Sequence, residues 1–185
     1  MVRKLDRILV VDVEATCWEG SPPPGQISEI IEIGLCVLDV PTLARVEQRD
    51  IFVRPLCSTV SPYCTQLTTL TQADVDGGIP LVEACQILAG EYHAPARLWA
   101  SYGDYDRKQF ERNCGELDIP YPFGPTHLNV KTLAAVAYGW SREVGMSEAL
   151  KRVGLPLEGT HHRGGDDAWN IAAILSRVLR SSRVG

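Results

Sequence analysis

The segment Arg7-Ile8-Leu9-Val10-Val11-Asp12-Val13-Glu14 constrains this chain more than any other: an aliphatic, β-branched run that ends in two carboxylates two positions apart. Such a run reads as a strand, and alternate residues of a strand project to one face, so Asp12 and Glu14 point the same way. Two like charges side by side are costly unless something positive lies between them. Hard divalent cations such as Mg²⁺ take oxygen ligands and keep positions open for water and phosphate, which makes a metal one answer. Plain solvent-facing charge at a strand end is the other.

The chain has 185 residues, 45% of them hydrophobic, enough for one substantial core, and a single domain over residues 1–185 is expected. Lys and Arg number 18 against 23 Asp and Glu, a net charge of −5. That balance argues against a broad cationic face that coats nucleic acid, but not against an enzyme that grips a few nucleotides beside bound metals. The six cysteines, at 17, 36, 57, 64, 85 and 114, form no CxxC pair and read as reduced thiols of an intracellular protein. Met1-Val2-Arg3-Lys4-Leu5-Asp6 leads into the first strand without a signal-peptide apolar region, and no apolar run is long enough to span a membrane. A soluble cytoplasmic protein, without membrane partners, is the expectation.

Residues 7–14 are the first expected strand, and Ser21-Pro22-Pro23-Pro24-Gly25 stops regular structure. A second strand is expected from Gln26 to Val40, and a third from Glu47 to Pro55 pairs with it as a hairpin. Residues 57–78 read as a loop with short helical turns. A helix follows Pro80, Arg97–Ser101 is a short strand, and a helix runs from the Tyr102–Asp106 turn through Cys114. His127–Val130 is a fifth strand, with helices at 131–138, 146–153 and 167–181. Strands early and helices late favour a central mixed sheet flanked by helices.

Two more acidic patches sit where strands give way to helices: Asp104-Tyr105-Asp106, and the loop His161-His162-Arg163-Gly164-Gly165-Asp166-Asp167. Glu29 and Glu32, on the second strand, read as decoys, with Glu32 an ordinary solvent-facing residue. Phosphodiester cleavage gives this set a use: two cations activate a water and stabilise the leaving oxygen, and carboxylates must hold both. A histidine with a reference pKa of about 6.5 takes the proton from that water. Four acids and one histidine suffice.

Val10-Val11-Asp12-Val13-Glu14-Ala15-Thr16-Cys17 resembles the first motif of the DEDDh (DnaQ-like) 3′-to-5′ exonucleases, and its Ala-Thr-Cys ending is similar to the Eri-like and KapD-like branch. The similarity continues through Phe52-Val53-Arg54-Pro55, Ser61-Pro62-Tyr63-Cys64, Leu67-Thr68, Gln72-Ala73-Asp74-Val75, Tyr105-Asp106 and His162 to Asn170. The resemblance implies a ribonuclease-H-like α/β fold with a central five-stranded mixed sheet flanked by helices. It also implies two Mg²⁺ or Mn²⁺ ions and release of 5′-mononucleotides from the 3′ end of single-stranded RNA or DNA, with RNA favoured. By the same resemblance Asp12 and Glu14 hold the first metal, and Asp12 bridges to the second. Tyr105-Asp106 matches the second motif, which selects Asp106 and leaves Asp104 as a helix N-cap. The last motif selects Asp167, with His162 as general base, over Asp166 and His161.

The family often has an aliphatic residue where Gly165 stands, so a looser loop in which His162 swings is expected. Leu67, Thr68 and Leu70 fall in the stretch that lies against the terminal nucleotide in similar enzymes. Trp18 or Tyr102 is placed to stack on a base. Arg107, Lys108, Lys131 and Arg163 are candidates for backbone phosphates. Two other classes stay open: an inactive ribonuclease-H-like binding module and a small-molecule phosphodiesterase. A silent module has no physical need to keep mutually repelling acids together.

Overall fold

The computed structural model describes residues 4–183. Five strands, β1 (Arg7–Ala15), β2 (Ile30–Asp39), β3 (Arg45–Phe52), β4 (Leu98–Ser101) and β5 (His127–Asn129), form one sheet in the order β3-β2-β1-β4-β5. β2 runs antiparallel to both β1 and β3, while β1–β4 and β4–β5 are parallel. Parallel strands need crossovers, and helices supply them. Between β3 and β4 lie α1 (Pro62–Thr68), α2 (Gln72–Asp76) and α3 (Leu81–Gly90); α4 (Tyr105–Glu116) joins β4 to β5. α5 (Val130–Ala137), α6 (Met146–Val153) and α7 (Gly164–Arg183) follow.

Strand alternation sorts the core into two layers. Leu9, Val11 and Val13 of β1 pack with Ala84 and Leu88 of α3, Phe110 of α4, and Trp99. Ile8 and Val10 turn to the opposite face, against Val130, Leu150, Ile171 and Leu175 of α5, α6 and α7. Each such side chain, fully buried, contributes roughly 1.5–3 kcal/mol. Asp12 and Glu14 continue the face of Ile8 and Val10, so they emerge where α7 begins.

Two glycines let α7 start so close to the sheet. Gly34 is the register partner of Asp12, and a Cβ on it would overlap the Gly164 backbone. A Cβ on Gly164 would in turn fall 2.8 Å from the Gly34 nitrogen. Gly165 corrects the expectation of a loose loop: its N–H donates to Asp50 at 2.8 Å, and a Cβ there would run into that carboxylate. The start of α7 is pinned to the sheet.

Some boundaries differ from the sequence expectation. Residues 26–29 are not strand, because Thr16 and Ser58 side chains take their backbone groups: Glu29 N–H donates to Thr16 Oγ1 at 2.9 Å and Ser58 Oγ to the Ile27 carbonyl at 2.6 Å. β3 begins and ends earlier than expected, with Val53 making only a single bridge to Ile79. The 57–78 stretch carries two short capped helices, α1 under Ser61 and α2 under the Thr71–Asp74 capping box. α7 starts at Gly164, three residues before its expected start.

Candidate active site

A cleft of about 400 Å³ opens at the end of β1, lined by Asp12, Glu14, Asp106, His161, His162 and Asp167, with Leu67, Tyr102, Tyr105 and Met146 as less polar walls. One oxygen from each of Asp12, Glu14 and Asp167 lies within 4.8 Å of the other two. Two segments far apart in sequence, β1 and the first turn of α7, supply this cluster. Asp106, in the first turn of α4 and only 3% exposed, is held by the Val13 N–H, which donates to Oδ1 at 3.0 Å.

Electrostatics set these acids apart from surface charge. Burial, reinforced by Asp106, Glu14 and Asp167, raises the Asp12 carboxyl well above its ordinary value. Glu14 is pushed up to about 8 by burial, then by Asp167 and Glu32, with Arg163 opposing. Asp106 rises to about 6 because burial outweighs the Val13 hydrogen bond. Asp167 is also raised by burial, against the pull of His161. Asp12 and Glu14 accept no hydrogen bond among the described residues. An all-oxygen set raised first by burial and then by mutual repulsion fits a hard divalent cation, whose charge would restore the ionised forms.

The histidine loop completes the cleft. His162 adopts a left-handed backbone (φ 64°) and donates its N–H to Asp167 Oδ2 at 3.0 Å. Its ring stacks on His161, with centroids 4.0 Å apart. Burial and the neighbouring His161 lower the His162 pKa, with Asp167 opposing, which favours the neutral imidazole near pH 7. His161, set aside in the sequence reading, places Nδ1 2.9 Å from Asp167 Oδ2. Asp166 is engaged elsewhere, accepting from Thr160 N–H at 2.7 Å and Gln48 Nε2 at 3.1 Å.

Several expectations need correction. Glu32 is not solvent-facing: it is 0% exposed, bound by Arg163 at 2.9 Å, and accepts the Gly164 N–H at 2.8 Å at the start of α7. Alternation along β2 was read as one wet face, but α7 covers it. Arg163, committed to Glu32, is not free for phosphate. Asp104 occupies the N-cap position of α4, yet its side chain caps nothing and reaches Arg107 at 3.5 Å. Thr68 and Leu70 are buried rather than facing the cleft: Thr68 Oγ1 donates to the Cys64 carbonyl, and Leu70 packs with Ile31 and Val75. Arg107 faces a different groove, with His127 and Leu128, and pairs with Glu111 at 3.1 Å.

Of the proposed nucleotide contacts, Leu67 and Tyr102 line the cleft. Trp18 lines a neighbouring groove with Arg112, and that groove meets the cleft at Cys17. Sequence reasoning missed Tyr105, which is 57% exposed and lies in the cleft wall. Its position directly before Asp106 was the available signal.

This sheet order, with carboxylates converging at the end of its central strand, is that of the ribonuclease-H-like hydrolases. The chain belongs to the exonuclease family RNase_T, whose model matches residues 9–175. It is 29% identical to the 3′-5′ exonuclease Snipper of Drosophila melanogaster over 94% of this chain and 69% of that protein. It is 30% identical to 3′-5′ exoribonuclease 1 of Homo sapiens over 95% of this chain and 53% of that one, so it spans about half of the human relative. Among solved structures, the nuclease domain of 3′hExo, a DEDDh family member bound to rAMP, superposes with a TM-score of 0.87 at 28% identity, covering 96% of this chain and 93% of that one.

Proposed function

We propose that this protein is a metal-dependent 3′-to-5′ exonuclease that removes 5′-mononucleotides from the 3′ end of single-stranded nucleic acid, RNA in preference to DNA. The observation that carries the reading is the convergence of Asp12, Glu14 and Asp167 oxygens within 4.8 Å in a cleft that also holds His162. Relatives named as exoribonucleases, and a 3′hExo structure holding rAMP, support the RNA preference. When bound, two Mg²⁺ or Mn²⁺ ions on Asp12, Glu14, Asp106 and Asp167 supply a polarised water and a stabilised leaving oxygen.

The chain's own groups do the rest. Neutral His162 accepts the proton of the attacking water, and Asp167 holds the His162 backbone in place. Leu67, Tyr102 and Tyr105 offer less polar walls against which the terminal nucleoside packs. Six free cysteines among the described residues support a reducing, cytoplasmic setting. No helix among the described residues is long and apolar enough to cross a membrane.

A 5′-labelled oligonucleotide, RNA or DNA, incubated with Mg²⁺ or with chelator tests the reading. Stepwise shortening from the 3′ end, abolished by chelator and faster on RNA, is the expected result. An intact oligonucleotide beside cleavage of small phosphodiesters would move the protein to the phosphodiesterase class. Intact oligonucleotide and intact small esters would leave the binding module.

A further inference from the structure

The cleft holds a second donor set that overlaps the nuclease groups and adds His161, which the nuclease chemistry does not use. One ring nitrogen from each of His161 and His162 and one oxygen of Asp167 lie within 4.8 Å of one another. Imidazole nitrogens suit Zn²⁺ and its neighbours, whereas the oxygen-only set of Asp12, Glu14 and Asp167 suits Mg²⁺ or Mn²⁺. The two sets share Asp167.

The His161 ring is aimed at Asp167. Its Nδ1 lies 2.9 and 3.1 Å from the two Asp167 oxygens, and the His162 N–H donates to the same carboxylate at 3.0 Å. A cation could take the place of the proton between that nitrogen and the carboxylate, because a separation of 2.9–3.1 Å is close to that of adjacent ligands on an ion with bonds of roughly 2.0–2.2 Å. The His161 side chain is 36% exposed and the Asp167 side chain 6%, so a ligand arm at the cleft mouth meets a fixed carboxylate. The second imidazole, that of His162, already has a ring nitrogen within 4.8 Å of the other two donor atoms.

We propose that His161, His162 and Asp167 form a second metal site that takes Zn²⁺ in preference to Mg²⁺ and inhibits the enzyme when filled. Occupancy removes two groups at once: the imidazole that receives the proton and a carboxylate of the oxygen set. His161 is thus the residue that makes this cleft sensitive to zinc. The inhibition rests on the exonuclease reading; the binding does not.

The test uses the full chain stripped of metal and then held in excess Mg²⁺. Zn²⁺ is titrated by calorimetry, and Co²⁺ is followed by visible d–d absorption. The wild type should bind one Zn²⁺ per chain and give a Co²⁺ spectrum with imidazole ligands. H161Q and H161N, which keep a side chain able to bond Asp167, should weaken binding at least tenfold and shift Zn²⁺ inhibition to at least tenfold higher concentration. D12N should leave the Zn²⁺ affinity within a few-fold of wild type. Equal Zn²⁺ affinity in wild type and both folded His161 variants would overturn the site, as would loss of binding in D12N alone. If no substrate is hydrolysed, the nuclease reading fails, while the calorimetric comparison still decides the site.

Discussion

Glu14 and Glu32 face each other in register across β1 and β2, both buried, yet their surroundings are opposite. Glu32 has a fixed cation and a helix N-terminus: Arg163 contacts both of its oxygens, and Gly164 N–H donates to one. Glu14 has no hydrogen-bond donor among the described residues and shares its space with Asp12 and Asp167. A buried carboxylate with a built-in partner holds the fold together. One without a partner, surrounded by its own kind, is the arrangement that a cation from solution would relieve.

The largest effect expected from this contrast is on activity. Asp12→Asn or Asp167→Asn removes a charged oxygen that polarised metal chemistry requires, so hydrolysis should fall by roughly 10³-fold or more, given several kcal/mol of charge stabilisation at such sites. The same changes relieve repulsion, so the metal-free protein should melt a few degrees higher, at about 2–4 °C per kcal/mol for a chain of this size. Turnover retained in both variants would break the assignment of the metal-holding set.

Glu32 should respond in the opposite sense. Glu32→Ala strands the Arg163 guanidinium and the first N–H of α7, and breaking one side of a buried pair costs about 3–5 kcal/mol. Urea denaturation reads this directly. Because α7 carries Asp167, activity should fall with stability, whereas Glu14→Gln should stabilise the metal-free chain. Equal, same-sign effects at the two glutamates would erase the distinction drawn above.

The pH dependence sharpens it further. Glu14 is raised from 4.5 to about 8, and Asp106 from 3.8 to about 6. A carboxylate raised in the folded state adds stability that is fully present below its unfolded pKa and is lost as pH climbs through the folded one. Metal-free protein should therefore melt progressively lower from pH 4 to pH 8. Mg²⁺ should restore more of the melting temperature at pH 8 than at pH 5, and a flat metal-free profile would contradict the repulsion argument.

How far these contrasts were legible in the sequence follows from the range of each signal. Asp12 and Glu14 were readable because strand alternation is local and an apolar run fixed the register. The five-stranded mixed sheet was readable for the same reason. Glu32 was misread because alternation gives a face but not what covers it; Arg163 and Gly164 lie some 130 residues away. The same distance hid the Gly34–Gly164 contact that brings Asp167 to Asp12. Thr68 and Leu70 sat in a polar stretch whose capped helices turn them inward. Asp104 was taken as a cap on residue type alone, but its backbone lies in the helical region, unlike the extended caps Ser61 and Thr71.

Asp104 supplies the mildest test, beside a neighbour two positions on. Asp106 is 3% exposed and fixed in the cleft by Val13, while the Asp104 side chain is 46% exposed and pairs with Arg107 at 3.5 Å. An exposed pair of that length contributes about 0–1 kcal/mol, and no helix N–H among the described residues depends on the Asp104 side chain. Asp104→Asn should leave stability within about 0.5 kcal/mol and turnover nearly unchanged, while Asp106→Asn should all but silence the enzyme. The two variants differ by one carboxylate oxygen each, so a single activity assay on the pair isolates burial and convergence from charge alone. Collapse of activity in Asp104→Asn, with Asp106→Asn active, would transfer the metal-holding role to the exposed residue.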